Sequence, residues 1–183
     1  AGAVFGSIPT NRFGRKKTLA SIGFLFLVSS VGTALATGPI NFAFFRFIGG
    51  LGIGISTIAA PTYVSEIAPA DKRGRLVAMY QFNIVFGILM AYTSNYFLQN
   101  IGINAWRWML GIQVIPSLVY TVLVFLVPES PRWLIGYKND KAGAIRILKI
   151  TRPDANIEEE LAAIEREKSH ETIKESIFDK KFR

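Results

Sequence analysis

Cysteine is absent from the 183 residues, histidine occurs once, and charge is missing from long stretches of the chain. Without cysteine there are no disulfides and no thiolate metal sites. The lone His170 lies in a charged tail; one imidazole makes no metal cluster, so it reads as a solvated surface residue. No metal and no cofactor is expected. Residue 1 is not Met and no signal-peptide pattern opens the chain. The short apolar segment Ala1–Ile8 reads as the end of a helix begun earlier, so the chain is expected to be part of a longer protein. No charged residue occurs from Thr18 to Phe45, from Leu76 to Trp106 or from Trp108 to Pro128. A helix needs about 20 mostly apolar residues to cross a ~30 Å hydrocarbon core, and each of these runs is long enough.

What is present fits the same picture. Half of the residues are hydrophobic, with 14 Phe, against a formal charge of +8. A water-soluble domain of this length alternates short amphipathic elements with charged loops, whereas here the charges are segregated. The expected fold is all-α, a polytopic transmembrane helical bundle over residues 1–127 followed by a cytoplasmic helical segment over 128–183. Four complete spans are expected at Thr18–Thr37, Ile40–Ser65, Leu76–Leu98 and Trp106–Val127. They are joined by Gly38-Pro39, Ala68–Arg75 and Gln99–Ala105, and Pro9–Lys17 precedes the first.

Basic residues sort by side. Arg12, Arg15, Lys16 and Lys17, then Lys72, Arg73 and Arg75, then the tail, alternate with the neutral connections Gly38-Pro39 and Gln99–Ala105. Lys and Arg stay on the cytoplasmic side of a plasma or inner membrane. The basic loops and tail are therefore expected in the cytoplasm, with Trp106 and Trp108 at the opposite interface. Residues 1–127 carry nine bases against two acids, and 128–183 carry twelve against eleven. The excess charge is thus membrane-orienting. A nucleic-acid footprint would need a basic face on a soluble fold, and none is expected.

Polar residues inside the spans carry the functional signal. Arg46 lies about two turns inside the second span. A base at mid-membrane costs at least ~2.5 kcal/mol, so it either faces a cavity and pairs with an acid or snorkels to the near interface; the residues alone leave both open. Gly50 and Gly54 make a GxxxG face for close helix packing, and Pro61 permits a kink. The glycine run has neither the spacing nor the preceding strand of a dinucleotide loop. Gln81, Asn83 and Asn95 need partners or water. Gln81 shares a stripe with Ile84, Val85 and Ile88, which suits either a helix–helix hydrogen bond or a small hydroxylated ligand. In the tail, Asn139 or Asp140 and then Asn156 are candidate helix caps. Ile157, Leu161 and Ile164 fall on one helical face.

Five segments in order resemble the sugar porter family of the major facilitator superfamily: NRFGRKK (Asn11–Lys17), RFIGGLGIGI (Arg46–Ile55), PTYVSEIAPADKRGRL (Pro61–Leu76), YQFNIVFGIL (Tyr80–Leu89) and PESPRWL (Pro128–Leu134). The resemblance covers nearly the whole chain and corresponds to the end of helix two through helix six, plus the cytoplasmic helices that follow. Two positions depart from the superfamily loop, Ser7 and Asn11, where Gly and Asp are usual; Asn at the second is common in the sugar branch.

The resemblance implies a secondary transporter that moves a monosaccharide by alternating access. By resemblance, Gln81 hydrogen-bonds sugar hydroxyls and Ile84, Val85 and Ile88 shape the site. Arg46 resembles the arginine that faces an acid on helix one in proton-coupled members, so protons are an expected partner. Arg15, Glu66, Arg73, Glu129 and Arg132 resemble a cytoplasmic gate, a charge network that links the helix ends while the site is open outward and separates when it opens inward. Membrane lipid and the missing C-terminal half of the same protein are the other expected partners. There are no catalytic residues, because no covalent chemistry occurs. A transporter-like sugar sensor shares every one of these motifs. An intramembrane enzyme ranks last, since the spans offer no nucleophile–base pair.

Overall fold

The computed structural model of the chain describes residues 7–69, 72–151 and 157–166, with side chains from Thr10 onward. Ala1–Gly6, Ala70-Asp71, the candidate cap Asn156 and His170 lie outside the described residues. The described chain is helical, without strands, and falls into two compact units, Ala1–Pro128 and Glu129–Arg183.

The first unit opens with α1 (Ser7–Phe13), then α2 (Arg15–Leu35). Gly14 separates them at φ 96°, a left-handed conformation that costs glycine little and other residues more. The remaining helices are α3 (Pro39–Ile67), α4 (Arg73–Leu98), α5 (Ala105–Gly111) and α6 (Val114–Leu126). α2, α3, α4 and the α5–α6 pair (Ala105–Leu126) are each long and apolar enough to cross a membrane. The charge-defined boundaries shift by a few residues. α2 and α4 start at Arg15 and Arg73, because a base at a helix end keeps its charge at the interface while its backbone joins the helix. Pro39 is the first residue of α3, where its missing N–H costs nothing. Pro61 sits inside α3, which runs on through it. The fourth span is interrupted at Ile112-Gln113.

α2 lies against both α3 and α6. Small residues permit this. A Cβ added to Gly49 would collide with Ser29, and one on Gly23 would lie 2.6 Å from Thr121 Oγ1. Gly52 meets Phe26, while Gly50 has open space in front of it. The close face of α3 is therefore Gly49 and Gly52, one helical step round from the expected Gly50. Leu19, Ile22, Ala59, Tyr63 and Val124 form the buried core. Hydroxyls in the spans bond back to their own helix, as Thr33 Oγ1 does to Ser29 O at 2.6 Å and Thr121 Oγ1 to Ser117 O at 2.7 Å. Lipid offers them no other acceptor. α4, like the short α5, buries none of its residues, whereas α2, α3 and α6 each bury some.

In the second unit, Ser130 caps α7 (Pro131–Trp133) by accepting from Trp133 N at 3.3 Å. α7 passes into a wider turn over Leu134–Lys138 that ends at left-handed Asn139. Asp140 then caps α8 (Lys141–Thr151), its Oδ1 accepting from Gly143 N at 2.8 Å. Residues 157–166 form a further helix. Ile164 and Leu161 pack on Trp133, Leu134, Ile135 and Ala144, so the apolar face read from the sequence is the face that is covered.

Candidate functional site

A cavity of about 750 Å3 opens between α2, α3, α4 and α6. α3 contributes Arg46, Gly49, Gly50 and Ile53; α4 contributes Asn83, Ile84, Gly87 and Ile88; Ser29 and Ser30 come from α2. Gln113, at the break in the fourth span, and Ser117 complete the polar lining. Ile112 and Gln113 keep helical dihedrals, and Gln113 N donates to Leu110 O at 3.4 Å, so the helix only tightens there while the Gln113 side chain lines the cavity. The result is an apolar-walled space lined by hydroxyls, two amides and one guanidinium. Its volume falls in the roughly 300–1,000 Å3 range of small-molecule sites.

Arg46 is the eighth residue of α3, about 10 Å along the helix from its start. It is half-buried, with its guanidinium 5.7 Å from the Phe42 ring centre. Among the described residues it has no carboxylate partner, and the ring face supplies a partial counter-charge. It is among the residues that line the cavity.

The two ends of the bundle differ. At the end where α2 begins and α3 closes, Arg15 forks onto Glu66, with Nε 2.9 Å from Oε2 and Nη2 2.7 Å from Oε1. Both side chains are about nine-tenths buried. Arg15 Nη1 also donates to Thr10 O at 3.3 Å. Two further bonds hold the last turn of α6 to the same end. Lys16 Nζ donates to Phe125 O at 2.8 Å and Tyr63 Oη to Pro128 O at 2.6 Å. Cationic donors suit the exposed carbonyls of a helix C-terminus.

The residues singled out in the sequence separate into groups. Arg46, Ile84 and Ile88 come together around the cavity; Gln81 and Val85 do not line it. The four residues of the α4 stripe spread over about 100° of helix surface. Ile84 and Ile88 turn toward the cavity, while Gln81 and Val85 are exposed on the flank beside it. Arg15 and Glu66 are paired. Arg73 is at the start of α4, and its Nε has no hydrogen-bond partner among the described residues. Glu129 and Arg132 belong to the second unit, where Glu129 Oε1 accepts from Ser130 N at 3.0 Å. Ser29, Ser30, Gln113 and Ser117 were not anticipated. The amide at 113 was visible as the one such residue in the fourth neutral run. The serines had no sequence signal, because small hydroxyl residues are common in spans and bond to their own helix.

Four membrane-length helices, with a paired charge cluster at one end and a polar-lined cavity between them, define a multi-pass membrane protein. The model of the sugar (and other) transporter family matches residues 1–182. The chain belongs to that family, the sugar porters of the major facilitator superfamily, whose members are transporters rather than enzymes. It is 42% identical over 154 residues to the glucose transport protein of Synechocystis sp. (strain ATCC 27184 / PCC 6803 / Kazusa), covering 77% of this chain and 33% of that protein. It is 36% identical over 171 residues to the D-xylose-proton symporter of Escherichia coli (strain K12), covering 79% and 35%. The partially occluded inward-open structure of the E. coli xylose transporter XylE superposes with a TM-score of 0.86 at 34% identity, over 92% of this chain and 45% of that one. The chain thus spans between a third and two fifths of the curated relatives it matches.

Proposed function

We propose that this chain is part of a carrier that moves a monosaccharide across the membrane by alternating access, with proton coupling. The observation that supports this most directly is the cavity: a mid-depth space lined by Ser29, Asn83 and Gln113 among aliphatics. Hydroxyl and amide groups pair with the hydroxyls of a sugar, and apolar walls accept its C–H faces. Gln81, on the flank of the same helix, reaches the sugar from beside the cavity, with Ile84, Val85 and Ile88 shaping the contact. Its relatives support this reading: one is a D-xylose-proton symporter, another a glucose transport protein, and one solved structure of the proton:xylose symporter holds 6-bromo-6-deoxy-D-glucose.

Arg46 is the charged group in the cavity. With no carboxylate beside it among the described residues, its acid partner comes from the rest of the carrier, and that pair takes up and releases the proton. The basic loops and tail face the cytoplasm, following the side preference of Lys and Arg. The Arg15–Glu66 fork then stands at the cytoplasmic end, where it holds α2 to α3 as part of the gate that is closed while the site is open outward. By resemblance, Arg73, Glu129 and Arg132 are further members of the charge network.

The test is sugar uptake by the full-length carrier in proteoliposomes under an imposed pH gradient. Gln81→Ala should raise the KM for D-xylose or D-glucose about tenfold, corresponding to one lost sugar hydrogen bond (about 1.4 kcal/mol). Arg46→Ala should abolish the dependence on the pH gradient. Unchanged uptake kinetics in Gln81→Ala remove that residue from the site, and an unaltered pH dependence in Arg46→Ala removes the coupling role.

A further inference from the structure

At the end of the bundle opposite the Arg15–Glu66 pair, an apolar groove of about 540 Å3 runs between the last turns of α2 and the fourth span. Val31, Leu35, Ile112 and Ile115 wall it, and Asn104 and Arg107 stand at its rim. Leu35 and Ile115 are more than half exposed. Arg107 is held rather than loose. Nη1 donates to Ala34 O at 3.2 Å, and the guanidinium lies 4.8 Å over the Trp106 ring. Its other N–H groups have no acceptor among the described residues.

A base at this end needs an explanation. The basic clusters of the first unit sit at the opposite end of the helices, and the connections here, residues 36–38 and 99–104, carry no charge. Lys and Arg are placed on one side of a membrane protein, and a base elsewhere is retained where something pairs with it. No carboxylate of the two connections can do so. What the groove presents outward is a cation at interfacial depth, flanked by Trp106 and Trp108, above a slot of exposed aliphatic side chains. That is the complement of an amphiphile with an anionic head and an acyl tail. Trp and Tyr favour the headgroup level, which sets the depth at which the phosphate would lie.

We propose that this groove is a binding site for an anionic phospholipid. The acyl chain lies along Val31, Leu35 and Ile115, and the phosphate accepts from the free N–H groups of Arg107 and from the Asn104 amide. The arrangement couples lipid charge to the α2–α5 junction, because the same guanidinium that takes the phosphate also closes on Ala34 O. The inference rests on the chain spanning a membrane and is independent of the sugar.

Trp108 lines the groove and serves as the reporter. The full-length carrier is reconstituted in phosphatidylcholine containing increasing fractions of dibrominated phosphatidylglycerol or dibrominated phosphatidylcholine. The quenching of Trp108 is read as the difference between the unaltered carrier and Trp108→Phe. The expected result is half-maximal quenching at about fivefold lower mole fraction of the phosphatidylglycerol (about 1 kcal/mol for one basic contact). Arg107→Gln abolishes the preference and Arg107→Lys retains most of it. Equal quenching by the two lipids in the unaltered carrier means ordinary bilayer contact and overturns the proposal. So does no quenching by either, which means that another protein segment covers the groove, or a preference that survives in Arg107→Gln. If Arg107→Gln does not fold, the comparison of the two lipids on the unaltered carrier and Arg107→Lys still decides. Sugar uptake by the same preparations is read separately, so lipid preference without uptake leaves this site standing and transport in question.

Discussion

Replacing Glu66 with Gln keeps the shape of the side chain and removes its charge, and the consequence can be worked from the geometry. Arg15 donates to both carboxylate oxygens, at 2.9 and 2.7 Å, and the two side chains are 9% and 10% exposed. Water therefore replaces little of what is lost, and salt screens the pair weakly. In Glu66→Gln one oxygen still accepts from Nη2, now without the carboxylate's charge. The other position becomes an NH2 facing the guanidinium, donor against donor. Losing a charge-assisted bond and burying an unsatisfied donor costs about 2–4 kcal/mol, at or below the ~3–5 kcal/mol of breaking a buried pair outright. The assay is a double-mutant cycle with Arg15→Gln in the full-length carrier, read by reversible unfolding in mixed micelles. A coupling energy of about 2–3 kcal/mol is expected. The second readout is local. Thr10, whose carbonyl takes the third Arg15 bond, is 2% exposed, so a cysteine placed there should react with a thiol reagent at least tenfold faster once Glu66 is neutral. A coupling energy below ~0.5 kcal/mol, with unchanged labelling, refutes the idea that this fork holds α2 to α3.

Two further outcomes test the packing. Gly49→Val should lower the yield of folded carrier and destabilise it by about 1–3 kcal/mol through overpacking, because any Cβ there meets Ser29, whereas Gly50→Ala, with open space in front, should be nearly neutral to folding. Tyr63→Phe removes the 2.6 Å bond to Pro128 O. It should cost about 1 kcal/mol and speed hydrogen exchange in the last turn of α6, and exchange unchanged within error would show that the bond does not hold that turn.

How far the sequence reaches can be argued from particular residues. The spans were legible because lipid offers backbone groups no water, so a crossing helix must be long, apolar and bounded by charge. That rule acts on composition, and the runs at Thr18, Leu76 and Trp108 obey it whatever they pack against. The helix capped by Asp140 and the face carrying Leu161 and Ile164 were legible for the same reason, since caps and 3.6-residue periodicity are local. The residues themselves showed only that Glu66 required another role, since acids contribute little to membrane orientation; Arg15 was grouped with it through the family resemblance.

Tertiary structure decided the rest. Whether Gly49 or Gly50 meets α2 depends on the rotation of α3 about its axis, and one residue is about 100° of that rotation; composition is the same either way. The stripe Gln81, Ile84, Val85 and Ile88 divides between the cavity and its flank for the same reason, as α4 shows its neighbours only part of that arc. Gln113, Ser29 and Arg107 acquire meaning only once residues far apart in the chain are brought together around one space. The sequence by itself determined that the chain lives in lipid and which helices cross it. Which side chains share a cavity was decided by helix rotation and close packing at small residues, a pairwise property that no single segment carries.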